Sequence, residues 1–292
     1  FLPDPMPEGL VTATFRFWLP DSIGEHTRVR GVILASDYHA GRSIYSDPRW
    51  RRLAVEHDMA MMIHQLEEDR EKSRLAKEEV GMKAILLALA HFAEQTGHPE
   101  VRFAGMVHTG LSQSGHQAIA FANLRPDRAI AAVAYHASAA VRAPELAEGP
   151  GTAVPQLHPI SETDTFFEPS AVHEFILTAR ENGALWAGLY QAREVHHLLG
   201  DPDFILDWLA TVIEMRAPKQ IPEERAYALE PVREKDGWLA LMKLDGRKVA
   251  MGGEAPRVAA FDEFEGDKSE AYWLPNESLA RAWRGDTLRP DA

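Results

Sequence analysis

"VHTGLSQSGHQA", residues 107–118, decides the reading of this chain. Before it comes the apolar run "VRFAGMVH", expected as a strand, and after it "SGHQAIAFANL", expected as a helix. A serine on a sharp strand-to-helix turn is pushed up at the edge of a sheet with its hydroxyl exposed. Such a turn needs small residues two positions to either side, and Gly110 and Ser114 stand there around Ser112. Centring on Ser114 would put His116 in a crowded slot, so Ser112 is the candidate nucleophile. Strand-to-helix turns favour Gly and Ser on conformational grounds alone, so the motif gains weight only from partners elsewhere.

Outward from the turn, strands and helices alternate. "LVTATFRFWLP" alternates wet and dry positions, and "VRGVILAS" is a continuous apolar run, the pattern of a strand buried on both faces. "DPRWRRLAVEHD" reads as a short helix with Asp47 as N-cap and Pro48 in its first position. "MAMMIH" is a strand, and Leu75, Val80, Ile85, Leu86, Leu89 and Phe92 recur at helical spacing between Lys72 and Gln95. Beyond the turn, "AIAAVAYHA", "AVPQLHPI" and "ALWAGLYQ" are strands, separated and followed by the helices "EPSAVHEFILTAREN" and "DPDFILDWLATVIEMR". This alternation predicts an α/β fold: a mostly parallel sheet with helices on both faces and reactive groups at the carboxyl ends of its strands.

On a sheet of this kind the serine, the carboxylate and the histidine arrive in that chain order. Asp164 follows the strand "VPQLHPI", with Glu162 and Glu168 as competing acids. His196 and His197 follow the strand "ALWAGLYQ", before the last helix of the alternation. A base must come within hydrogen-bond reach of both partners, and neighbouring side chains on an extended loop point apart. His196 is preferred and His197 is the alternative.

The residues "GLSQSGHQA", "VPQLHPISETD" and "VHH" before a helix resemble the α/β-hydrolases of the serine-esterase kind, in the carboxylesterase, dienelactone-hydrolase and polyhydroxyalkanoate-depolymerase-like branch. The likeness runs from about Val29 to Arg216, with Ser114, Ser161 and "AREV" departing from the family's usual glycines. The resemblance implies an α/β-hydrolase fold and ester hydrolysis through a Ser112–His196–Asp164 triad and an acyl-enzyme, with an amidase, peptidase or acyltransferase using the same triad, or a non-catalytic binding protein of this fold, as the alternatives. It implies an oxyanion hole made by backbone N–H groups of Gln113 and Tyr38, the second of which also reads as a pocket wall. No metal or organic cofactor is expected. Only "SAAVRAPELAEGPG" separates two strands where lids are commonly inserted, so a fairly open site is expected.

Other features bound the function. The net charge of −13 repels nucleic acid and anionic membranes, and the chain has no cysteine to serve as nucleophile or metal ligand. The longest apolar run, "AILLALAHFA", is too short to span a membrane. The substrate expected is a small-molecule or polymeric ester, while oligomeric state and localisation stay open. His39, His64, His108, His116, His136 and His158 lie near strand ends or on the helix after Ser112 without metal-binding spacing, and are taken as packing or pocket residues. Residues 1–218 are expected to form the catalytic domain. Residues 219–292, with Trp238, Trp273 and Trp283, an Asp245-Gly246 hairpin and a helix started at Asn276, are expected as an appendage packed on the same domain.

Overall fold

A computed structural model describes residues 1–37, 41–68, 74–137, 142–161, 164, 166, 168–191, 196, 202–223, 225–242, 244–245, 248–249 and 257–287. Seven strands form the main sheet: β1 (Leu10–Trp18), β2 (Gly31–Ser36), β3 (Met59–Glu68), β4 (Gly105–Leu111), β5 (Ala129–Tyr135), β6 (Gln156–Ser161) and β7 (Trp186–Gln191). Their order across the sheet is β1-β3-β2-β4-β5-β6-β7. β1 runs antiparallel to β3 at one edge, where Ala13 and Phe15 are buried while Val11, Thr12 and Thr14 stay exposed. All other pairings in this sheet are parallel.

Parallel neighbours need long crossovers, and helices supply them. They are α1 (Gly41–Ser46), α2 (Pro48–Glu56), α3 (Arg74–Thr96), α4 (Gln113–Leu124), α5 (Pro169–Glu181) and α6 (Asp203–Arg216). α2 starts as its sequence dictates, with the Asp47 carboxylate accepting from the Arg49 N–H at 2.7 Å. β2 shows why the strand composition is continuous. Ile33 and Ala35 face a core shared with Trp50 and Leu53 of α2 and Ile205 and Trp208 of α6. Val32 and Leu34 face another, shared with Met82, Ile85 and Leu89 of α3. Burying one such aliphatic side chain stabilises the fold by about 1.5–3 kcal/mol.

β2 lies between β3 and β4, so the chain leaves it first toward one side and then crosses to the other. Strand order reverses there, and the crevice beyond the carboxyl ends at such a point is where ligands bind in open α/β sheets.

Three details differ from the sequence expectations. Val101 lies in a 3₁₀ turn, Pro99–Phe103, and the strand begins only at Gly105. α1 forms between "VRGVILAS" and "DPRWRRLAVEHD", a stretch for which the sequence suggested no helix. Next to Asp245, β9 (Leu244–Asp245) and β10 (Lys248–Val249) pair antiparallel as a hairpin signal implies, but they are two residues each. The preceding run, β8 (Trp238–Ala240), is instead the centre of a second antiparallel sheet between β11 (Val258–Ala260) and β12 (Tyr272–Leu274).

The last helix, α7 (Glu277–Thr287), is capped by Asn276, whose side-chain oxygen accepts from the Leu279 N–H at 2.8 Å. Trp283 of α7 donates its indole N–H to the carbonyl of Gly188 in β7 at 2.7 Å. Tyr272 bonds His173 of α5 at 2.5 Å, and buried Arg180 of α5 bonds the Ala271 carbonyl at 2.7 Å and Glu234 at 2.6 Å.

Candidate active site

Ser112 joins β4 to α4 with φ 58° and ψ −114°, a conformation that L-residues rarely adopt. Its neighbours impose it. The Ser112 N–H still donates to Tyr135 of β5 at 2.8 Å, as a strand residue does. One residue later the chain is helical, with the Ser112 carbonyl accepting from the His116 N–H at 3.0 Å. Strain of this kind costs about 1–3 kcal/mol and persists where the surroundings over-determine it. The turn is tight enough that a β-carbon on Gly110 would lie 2.2 Å from the Ser114 carbonyl oxygen, and one on Gly115 2.9 Å from that of Tyr135.

The two serines have different fates. Ser114 is buried, and its hydroxyl donates to the Leu111 carbonyl at 2.9 Å, closing the turn. Ser112 is half-buried and makes no capping bond to α4. Gln113, exposed, is the first residue of α4, at the end of the helix where the leading N–H groups have no intrahelical acceptor.

β5, β6 and β7 end side by side with β4, and the loops after them bring three further groups together. Asp164, buried, follows β6. Its Oδ2 lies 2.7 Å from His196 Nδ1 and 3.2 Å from His136 Nδ1, and its Oδ1 accepts from the Phe166 N–H at 2.8 Å. Burial pushes the Asp164 carboxyl up, but the hydrogen bonds from His136, His196 and Phe166 outweigh it and bring it down to about 2. The carboxylate is therefore ionised, so each imidazole nitrogen bonded to it carries a proton, and the basic nitrogen of a neutral His196 is Nε2. His196 keeps a partly exposed edge, and the exposed ring of Phe166 sits 4.7 Å from it, centroid to centroid.

Of the residues singled out from the sequence, Asp164 and His196 are in direct contact. Glu168 is exposed at the start of α5, while Tyr38, Glu162 and His197 lie outside the described residues.

His136, taken from the sequence as a packing or pocket residue, makes a specific contact: buried just past β5, it turns its ring onto Asp164. Its φ of 46° and a bond from its N–H to the Pro159 carbonyl at 3.0 Å fix that orientation. The sequence signal available was its place at the end of an apolar run, which His108 in "VRFAGMVH" shares although it lies inside β4.

Of the other histidines singled out, His64, His108, His116 and His158 belong to the interior, and His39 lies outside the described residues. Burial alone holds His158 down to about 3, and burial assisted by the charges of His64 and Arg128 does the same for His108. Burial brings His64 to about 4 against the opposing pull of Asp37. His136, Asp164 and His196 also place three possible metal-ligand atoms within 4.8 Å of one another.

The strand order, with one antiparallel edge strand and the rest parallel, is that of the α/β-hydrolase fold, and the chain has that fold. No protein-family model and no curated protein sequence matches the chain. Solved structures do resemble it. An alpha-beta serine hydrolase homologue from Coxiella burnetii is 14% identical with a TM-score of 0.50, over 72% of this chain and 94% of that one. Esterase PE8 is 18% identical with a TM-score of 0.49, over 68% and 99%. A cold-adapted esterase from an Arctic intertidal metagenomic library is 16% identical with a TM-score of 0.49, over 73% and 92%. At such identities the likeness is one of fold. Among the described residues no helix is long and apolar enough to cross a membrane.

Proposed function

We propose that the protein is a serine hydrolase that cleaves carboxylic esters through an acyl-enzyme. The observation that carries this reading is the pairing of His196 with the ionised Asp164 at 2.7 Å, from loops at the same sheet end where Ser112 sits on its strained turn. Ser112 Oγ attacks the ester carbonyl while His196 Nε2 takes its proton. The imidazolium that forms is stabilised by Asp164, which also holds the proton on Nδ1 beforehand. The tetrahedral oxyanion is received by the N–H of Gln113 at the start of α4, with Tyr38 as the second donor. His196 then returns the proton to the departing alkoxide, and water repeats the sequence to release the acid.

His136 acts here as a positioning residue. Its N–H shares Asp164 Oδ2 with His196, so the carboxylate is held from two sides and stays ionised. Between β5 and β6 the described chain forms two short 3₁₀ turns, Pro144–Ala147 and Pro150–Ala153, in keeping with a small-substrate site open to solvent.

A fluorophosphonate probe followed by peptide mapping tests the reading. One label on Ser112, together with turnover of p-nitrophenyl esters in a series of chain lengths, is the result expected. An unlabelled protein would end it, and a label on Ser114 would move the nucleophile to that residue.

A further inference from the structure

We propose that His136, Asp164 and His196 form a site for one divalent transition-metal ion of the zinc type, and that filling it silences the protein. The donor set is two imidazole nitrogens and one carboxylate oxygen, which suits zinc and its neighbours and leaves a fourth position open for water. Magnesium and calcium prefer shells of six or more oxygens and find only one carboxylate here.

The spacing fits. Ligands about 2.0–2.1 Å from a tetrahedral zinc stand roughly 3.3 Å from each other. His136 Nδ1 and Asp164 Oδ2 are already 3.2 Å apart. His196 Nδ1, at 2.7 Å from the same oxygen, must draw back by about half an ångström to admit the ion. It is the most exposed of the three and gives the ion its way in, since His136 and Asp164 are buried. The three ligands come from the loops after β5, β6 and β7, so no linear spacing in the sequence announces them.

Binding changes the chemistry of His196 without any net loss of protons. In the metal-free protein both imidazoles carry their proton on Nδ1 and donate it to the carboxylate. Coordination takes the Nδ1 lone pair, so the neutral ring must carry its proton on Nε2 instead. Nε2 is the atom that has to accept the serine proton, so metal binding and base catalysis exclude each other. The same three groups thus make a reversible off-switch, responsive to free zinc. The loss of hydrolysis rests on the function proposed above, whereas the binding itself does not.

The test is equilibrium titration of the full chain with Zn²⁺, by calorimetry or against a chromophoric chelator, near neutral pH. One ion per chain is expected, and Mg²⁺ should give no heat and no competition. His136→Ala and, separately, His196→Ala should each weaken Zn²⁺ binding on the order of a hundredfold or more. Ser112→Ala should bind Zn²⁺ as the wild type does. Stoichiometric Zn²⁺ should stop ester hydrolysis by the wild type, and a chelator should restore it. The site is refuted if no stoichiometric binding is seen, or if a folded His136→Ala or His196→Ala protein binds Zn²⁺ unchanged. Binding that depends on both histidines in a protein inert toward esters would uphold the site and overturn the hydrolase reading instead.

Discussion

A β-carbon placed on Gly110 would stand 2.2 Å from the carbonyl oxygen of Ser114. The first turn of α4 therefore lies directly over the end of β4, with no room for any side chain at 110. Both atoms belong to backbone that is fixed in regular structure, so the clash cannot be absorbed by a rotamer change. Gly110→Ala should lower stability by about 1–3 kcal/mol, as overpacking does, and displace Ser112 from its turn. Thermal denaturation and fluorophosphonate labelling measure the two effects. An unchanged melting temperature with full labelling would show that the turn has slack.

Ser112 and Ser114 should respond in opposite ways to alanine. Ser112→Ala removes an oxygen that makes no capping bond, so it should abolish hydrolysis with little change in stability. Ser114→Ala loses the bond to Leu111 and should cost about 1 kcal/mol while leaving most of the activity. Reversal of that pattern in paired melting and rate measurements would move the nucleophile to Ser114.

What could be read from the sequence was what is local. The turn at Ser112 lies between two elements of clear period, and Asp164 and His196 each follow an apolar run whose end is visible. His136 was not legible. A histidine at the end of "AIAAVAYHA" looks like His108 in "VRFAGMVH" or His158 in "AVPQLHPI", and those two are interior. Only the backbone turn at His136, with φ 46°, aims its ring at the carboxylate. Val101 misled for a related reason, being apolar and buried beside Pro99 but in a 3₁₀ turn. β8 was hidden because its partners, Val258–Ala260 and Tyr272–Leu274, come far later in the chain.

His136→Ala should slow the reaction less than loss of the nucleophile. It deletes one of two N–H donors on Asp164 Oδ2, and a hydrogen bond to a charged group contributes about 1.5–3 kcal/mol. A fall in kcat of about tenfold or somewhat more, with little change in KM, is expected. His136→Gln, which keeps a donor, should recover part of it. Equal rates for wild type and His136→Ala would remove the positioning role.

Acid should unfold the protein in a window set by its buried histidines. His108 and His158 are held down to about 3, and His64 and His173 to about 4, chiefly by burial. Unfolded histidine titrates near 6.5, so between there and the folded values the unfolded chain binds more protons and stability falls as pH falls. Each histidine removes about 1.4 kcal/mol per pH unit across that window. Set against a net stability of about 5–15 kcal/mol, the sum places acid unfolding between about pH 4 and 5.5. Asp164 contributes lower down, because its stabilisation is lost only as pH falls from the ordinary carboxylate range toward about 2. Chemical denaturation at a series of pH values checks this. His158→Phe, beside Phe175 and Trp186, should shift the acid midpoint downward, and stability that stays flat from about pH 6.5 to 4.5 would contradict the account.

The final prediction concerns residues 219–292, which we propose to be a structural part of the same unit as the main sheet. β7 is the outermost strand of that sheet, and an open strand edge invites pairing with other chains. Here the edge is met from the C-terminal segment. The Gly188 carbonyl accepts the Trp283 indole N–H, and a β-carbon at Gly188 would lie 2.7 Å from the Tyr272 hydroxyl. Trp283 and Tyr272 are fully buried and meet edge to face with ring centroids 5.9 Å apart. β7 also leads into the loop that carries His196, so the same contacts support the proposed base. Trp283→Ala should therefore cost about 3–5 kcal/mol, as for other buried aromatic truncations, and should reduce kcat through a less well-held His196. Truncation after Pro218 removes the whole cover and should give a protein that aggregates. Size-exclusion chromatography and melting curves decide the matter: a monodisperse 1–218 fragment melting at the wild-type temperature would show that the main sheet stands without its C-terminal segment.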